Sequence, residues 1–243
     1  MSTLDDDLAF LTEDDQPPCT EAPEEPVLPF VVAAVLNVKM LPPPLYATST
    51  ATHRITKDLQ ALIKTQEKHK SNPQGLGWYF HSEYFEVTNN LYQWIVEIHS
   101  FPLRLPLAVD MVARGIQSII LELCFHADYP ISPPFVRVVR PRLMQFRDGG
   151  GGHVTAGGSI CMDLLTNSGW SAANDIESVL LQIRMALMSS EPNYARLART
   201  QGNLNAITDY SVGEAIDAYQ RVARSHGWAI PNGISQLLRW TQS

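Results

Sequence analysis

Apolar and polar positions alternate along this chain with two different periods. From Thr52 to about His69 the apolar residues Ile55, Leu59, Leu62 and Ile63 recur at helical spacing, with Arg54, Lys57 and Lys64 off that stripe. Such a pattern predicts an amphipathic helix. The stretches Trp78–Val87 and Leu91–Ser100 are rich in aromatic and β-branched residues and are joined by Asn89-Asn90. They read as a strand pair. Ile116–Phe125 sets Ile119, Leu121, Leu123 and Phe125 against Ser118, Ile120, Glu122 and Cys124, and Phe135–Arg140 gives a short fourth strand. Between these last two lies YPISPP, residues 129–134, whose three prolines forbid a regular ladder and stiffen the crossing.

After an irregular segment, 141–160, with four consecutive glycines from Gly149, helical periodicity returns. A helix begins near Asn174 or Asp175. Asn174 followed by Glu177 has the form of a capping box, and Ile176, Val179, Leu180, Ile183 and Leu187 form its stripe. Ser211 and Glu214 repeat the signal ahead of Val212, Ala215, Ile216, Tyr219 and Val222, and Gly227 fits a left-handed terminator. One helix, a run of four strands and then more helices predict an α+β fold: an antiparallel sheet with helices packed on it.

Composition refines the ends. Residues 1–26 hold nine acidic groups and no Lys or Arg, so the remainder is close to neutral, with 16 acids against 18 bases. The lack of a broad basic field disfavours nucleic-acid binding. The acidic stretch is poor in aromatics and cannot bury enough surface to fold alone. Within it, Leu8, Phe10 and Leu11 read either as a partner-docking motif or as part of a solvated tail. The expected organisation is an acidic tail over 1–28, a Pro-rich extended lead-in over 29–50, one main domain over 51–228 and a C-terminal extension over 229–243. The N-terminus has neither the basic start nor the apolar core of a secretory peptide. The longest apolar run, Phe30 to Leu36, is too short to cross a bilayer, so no membrane association is expected. Cys19, Cys124 and Cys161 lack metal-ligand spacing and make no disulfide framework. No metal is expected, and a reducing compartment, cytoplasm or nucleus, fits best.

Three short motifs carry more than pattern. YPISPPFVRV, GSICMDLL and GWSAANDIESVLLQI, in that order, resemble the signature segments of the ubiquitin-conjugating enzyme family over roughly residues 50–228. FVRVVRP, ICMDLL, IESV and the closing HGW resemble its Q-type branch, and the likeness is to fungal members. Some fungal relatives carry an additional ADP-ribosyltransferase domain, for which 243 residues leave no room. The resemblance implies an α+β sandwich with one four-stranded antiparallel sheet and flanking helices, and a cysteine in a shallow groove. It places Cys161 at the thioester-forming position. Ubiquitin, an activating enzyme, a ligase and a protein substrate are the implied partners. No cofactor is implied, because ATP is consumed by the activating enzyme.

The chemistry suits a thiol, a good nucleophile that then serves as a good leaving group. Gly157 and Gly158 read as room for an incoming C-terminal tail. Cys124, inside a strand pattern, reads as buried. Most of the family carries His-Pro-Asn upstream of the cysteine; this chain lacks it, as the Q-type branch does, and His153 stands eight residues before Cys161. His153 is therefore a candidate oxyanion donor or base, against a plain loop-positioning role. The family's acidic residue after the helix has no clear counterpart; Glu191 is the nearest acid. Carried over by position, the partner surface comprises Arg54 and Lys57 on the first helix, Ile131 in YPISPP, and Ala172 with Ala173 after Trp170. The acidic tail is complementary in charge to Arg54 and Lys57. The rival reading is a non-catalytic ubiquitin-binding or scaffold domain on the same fold. An RWD-type domain would lack GSICMDLL, and a cysteine protease would have no use for the three motifs.

Overall fold

The computed structural model describes residues 25–32, 36–199, 208–231 and 233–241. The acidic stretch before residue 25, with Leu8, Phe10, Leu11 and Cys19, lies outside them.

Helix α1 (Ser49–Lys68) starts where the Thr48 side chain accepts a hydrogen bond from the Ala51 N–H, and it buries Ala51, Ile55 and Leu62. A cap of this kind satisfies one of the orphan donors of the first turn. A four-residue turn of helix, α2 (Pro73–Leu76), leads into the sheet. Strands β1 (Trp78–Phe80), β2 (Gln93–His99), β3 (Ser118–Cys124) and β4 (Phe135–Arg140) form an antiparallel meander in chain order. One face carries Trp94, Val96 and Ile98, paired with Leu123, Leu121 and Ile119. It joins one core with α1 and with Val179, Leu180 and Ile183 of α5 (Ile176–Met188).

The opposite face is equally buried but part polar. Glu122 pairs with Arg137 at 2.5 Å inside it. A buried ion pair needs further hydrogen bonds to offset the loss of hydration. The lead-in supplies some of them. Gln93, bonded to Glu122, donates to the Lys39 carbonyl at 3.0 Å and accepts from the Leu41 N–H at 2.8 Å. Leu36 packs on Ile95, Ile120 and Val139, and the Phe30 ring stacks on His99 at 3.7 Å. Burial there pushes the His99 imidazole down to about 4.

Three expectations are corrected. Trp78–Val87 is not one strand: the ladder stops at Phe80, and Glu83–Thr88 forms helix α3, closed by Asn89 at φ 50°. Its aromatic residues face inward all the same, with Phe85 against Phe80 and the Tyr84 hydroxyl on the Leu36 N–H. Packing has overridden strand propensity. Between β2 and β3 stands an unanticipated helix, α4 (Pro106–Ala113), which is apolar nearly all round and so gave no periodic signal. At α5 the cap is Asp175, accepting from the Ser178 N–H at 2.7 Å, rather than Asn174. Glu177 instead accepts from Thr65 of α1 at 3.0 Å.

Helix α6 (Val212–His226) has both halves of the capping box at Ser211 and Glu214, and Gly227 ends it at φ 70°. Helix α7 (Gly233–Thr241) buries Ile234, Leu237 and Trp240. The Trp240 indole donates to the Pro42 carbonyl at 2.8 Å. Among the described residues no helix is long and apolar enough to cross a membrane.

Candidate active site

After β4 the chain turns back along its own strand. The Ile160 N–H donates to the Val136 carbonyl at 3.0 Å, and the Val138 N–H to that of Gly158 at 2.8 Å. Residues 153–161 then form a tight hairpin. The Cys161 N–H donates to the His153 carbonyl at 2.7 Å, and the Thr155 N–H to that of Ser159 at 2.9 Å. His153 and Cys161 therefore stand opposite each other at the open end of this hairpin, although eight residues separate them. That pairing explains the spacing on which the sequence reading relied.

The glycines have a different purpose from the one expected. A Cβ at Gly157 would fall 2.0 Å from the Glu214 carbonyl oxygen at the start of α6, and Gly158, at φ 92°, lies against the Tyr210 ring. A Cβ at Gly151 would fall 1.7 Å from the Asn193 carbonyl oxygen. These positions let the loop press onto neighbouring backbone. They anchor the hairpin rather than open a path for an incoming tail.

Cys161 itself is half-buried, and burial pushes its thiol up. Cys124 is fully enclosed and its thiol is raised further, first by burial and then by Glu122. Of the two cysteines among the described residues, Cys161 alone opens on a groove. Its walls include His153, Met162, Asp163, Gln182, His226 and Trp228. His153 is exposed, in a left-handed conformation at φ 56°, with Nδ1 3.2 Å from the Cys161 carbonyl. A carbonyl can only accept, so this contact assigns the proton to Nδ1 and leaves Nε2 of the neutral ring as an acceptor.

Gln182, His226 and Trp228 escaped the sequence reading as site residues. The His226 and Trp228 rings stack at 4.7 Å, 17° from parallel, at the end of α6. The HGW triplet was visible as a resemblance, but nothing local placed it beside a cysteine 65 residues earlier in the chain. Glu191 is exposed. Among the described residues no group of three or more His, Cys, Asp or Glu side chains is placed to hold a metal ion.

The second predicted surface assembles from three segments. Trp170 donates from its indole to the Pro130 carbonyl at 2.8 Å, tying the loop after the cysteine to YPISPP. Arg54 ties both to α1. Its Nε bonds both Asp58 oxygens at 2.9 Å, Nη2 donates to the Asn174 carbonyl at 2.6 Å, and Nη1 donates to that of Ala172. The Tyr129 hydroxyl also donates to Asp58, and the Arg54 guanidinium lies over the Tyr129 ring at 5.5 Å. Arg54 thus directs its charge inward and serves as a clamp. Lys57, Ala172 and Ala173 are exposed around it, and Ile131 is 77% exposed. Ser171 accepts from the Ala173 N–H at 3.2 Å and so holds the turn after Trp170.

Comparison with known proteins bears on the family. A family model described as ubiquitin-conjugating enzyme matches residues 117–210. A Q-type ubiquitin-conjugating enzyme-like protein of Mus musculus is 34% identical over 148 residues, which is 60% of this chain and 85% of that protein. Ubiquitin-conjugating enzyme E2 Q1 of Homo sapiens is 34% identical over 188 residues, 74% of this chain and 39% of that one. Ubiquitin-conjugating enzyme E2 25 of Caenorhabditis elegans is 32% identical over 189 residues, 75% of this chain and 44% of that protein. The chain therefore spans less than half the length of the last two.

Proposed function

The chain belongs to the ubiquitin-conjugating enzyme family, in its Q-type branch, and from that premise we propose that Cys161 carries ubiquitin between an activating enzyme and a substrate protein. The Cys161 thiolate attacks the carbonyl carbon of the ubiquitin thioester held by the activating enzyme. The tetrahedral adduct collapses, expels the activating enzyme's thiolate and leaves ubiquitin on Cys161. The amine of a substrate lysine then attacks the new thioester and loses a proton, and the Cys161 thiolate departs. The product is an isopeptide. ATP is consumed by the activating enzyme, and this chain needs no cofactor of its own. A ligase brings the substrate, docking with the activating enzyme in turn on the surface of Lys57, Ile131, Ala172 and Ala173. These are partners found in the cytoplasm and nucleus.

One observation carries the reading. Of the two cysteines among the described residues, Cys161 alone opens on a groove, and the hairpin sets an imidazole opposite it. With Nδ1 bonded to the Cys161 carbonyl, His153 presents Nε2 as the proton acceptor for the attacking amine. Burial keeps the resting Cys161 largely as the thiol, which guards it against adventitious oxidation.

The test is direct. The chain is mixed with activating enzyme, ATP and ubiquitin and run on a non-reducing gel. A band one ubiquitin heavier is expected, lost on adding thiol, kept in Cys124→Ala and absent in Cys161→Ala. Cys161→Ser should give a thiol-resistant oxyester band. A working activating enzyme that leaves the wild-type chain uncharged would end this reading.

A further inference from the structure

The connection between β2 and β3 carries an apolar surface with nothing of the described chain upon it. Helix α4 buries Leu107, Ala108 and Met111, yet its opposite side presents Val109 and Val112, each 55% exposed, with Leu103 beside the helix start. Val109 and Val112 are three residues apart and so share one helix face. Cationic groups frame them. Arg104 precedes the helix, Arg114 follows it and donates to the Ala198 carbonyl at 2.9 Å, and Arg196 bridges Asp110 at 2.7 Å.

The N-terminal stretch enters the fold at this place. The Leu28 N–H donates to the Phe101 carbonyl at 2.8 Å, and the Leu103 N–H to the Pro26 carbonyl at 3.0 Å. Glu25 pairs with Arg104. Residues 1–24 therefore begin their course within a residue or two of α4. They contain an apolar cluster, Leu8, Phe10 and Leu11, with Asp5, Asp6 and Asp7 before it and Glu13, Asp14 and Asp15 after it. Arg104 and Arg196 already hold Glu25 and Asp110, so the acidic–apolar–acidic segment matches an apolar face with Arg114 at its end. Reach is no obstacle. Fifteen residues can extend about 50 Å, whereas an eight-residue helix is about 12 Å long. A segment tethered this closely also has an effective concentration on the order of millimolar, so a weak contact suffices.

We infer that residues 5–15 dock in cis on α4, with Leu8, Phe10 and Leu11 covering Val109, Val112 and Leu103. The charge complementarity noted between the tail and the first helix points here instead. The Arg54 guanidinium is already taken up by Asp58, Ala172 and Asn174. The β3–β4 connection that carries Ile131 leaves the sheet at the end opposite the β2–β3 connection that carries α4. Docking at α4 leaves the partner surface clear, so this inference stands independently of the thioester reading.

The test is methyl NMR on the full chain with labelled Val and Leu side chains. Leu8→Asp/Phe10→Asp/Leu11→Asp is compared with wild type, and Val109→Ala and Val112→Ala assign the signals. The Val109 and Val112 methyls are expected to move as the Phe10 ring current is lost, while core methyls such as Val136 and Val179 stay in place. The reciprocal full-length variant Val109→Asp/Val112→Asp should raise amide exchange over residues 5–15 to that of an unstructured peptide. Coincident Val109 and Val112 methyl positions in wild type and triple variant would overturn the inference. So would shifts that grow with protein concentration, since a second copy would then be the occupant.

Discussion

Backbone hydrogen bonds lie behind the position of Cys161; around Arg54, side chains converge from α1 and from two loops. The His153–Cys161 hairpin is fixed by its ladder and by glycines pressed on neighbouring backbone; the His153 ring adds only its Nδ1 contact to the Cys161 carbonyl, and the Cys161 thiol is not used to hold it. The proposed partner surface is organised the other way. Arg54, Asp58, Tyr129 and Trp170 are taken up in holding three segments together, and only the tips, Lys57, Ile131 and the two alanines, face outward. The proposed site of chemistry keeps the Cys161 thiol out of its framework, while the proposed partner surface uses its polar groups as scaffold.

The contrast breaks most sharply at His153. Replacing it by Ala should slow discharge of the Cys161 thioester to free lysine by roughly a hundredfold, the lower range for loss of a general base. Melting temperature should hold, because backbone carries the hairpin. His153→Gln can still donate to the Cys161 carbonyl but cannot take the proton. If Gln restores discharge, His153 only positions the loop.

Arg54→Ala tests the other half. Asp58 would keep only the Tyr129 hydroxyl, and two carbonyls would lose their donors. The expected cost is about 2 kcal/mol, or roughly 4–8 °C in melting temperature for a chain of this size. Lys57→Glu, on the same face, should leave melting unchanged and slow only charging by the activating enzyme. Equal melting losses in both variants would show that Arg54 is no clamp.

The smallest effect concerns Cys161 alone. Burial disfavours its thiolate, and the thiolate is the reactive form, so reactivity must be displaced to higher pH. Iodoacetamide labelling followed by mass spectrometry should give Cys161 a midpoint above about 8.5, the ordinary thiol value. Cys124 should stay unlabelled in the native protein. A Cys161 midpoint below the ordinary value would mean that a nearby cation outweighs burial.

Local signals in the chain marked out α1, the cores of β2, β3 and β4, and the Ser211 and Glu214 cap, since each depends on residues within a few positions. Cys161 and His153 were singled out by the family resemblance instead, and a two-stranded turn brings them together. What escaped detection depends on distant partners. Glu83–Thr88 is helical because Phe85 and Tyr84 find Phe80 and Leu36. Helix α4 gave no signal because its outward residues are apolar too. Trp228 reaches the groove only through the course of α6, and the reason for Gly157 lies on the Glu214 carbonyl. Arg54 looked like a free surface cation because its carbonyl partners lie some 120 residues further on.

The contacts of the lead-in with α7 bear on how the chain is made. Trp240 meets Tyr46 edge to face at 5.8 Å and bonds Pro42, and Lys39 donates to the Thr241 carbonyl at 3.3 Å. These partners lie about two hundred positions apart. On a ribosome adding about 5–20 residues each second, Tyr46 waits ten seconds or more for its mate. Until then the Pro-rich strap must lie on the sheet without its final brace. Emergence of α7, rather than emergence of the sheet, is the moment at which this domain becomes complete.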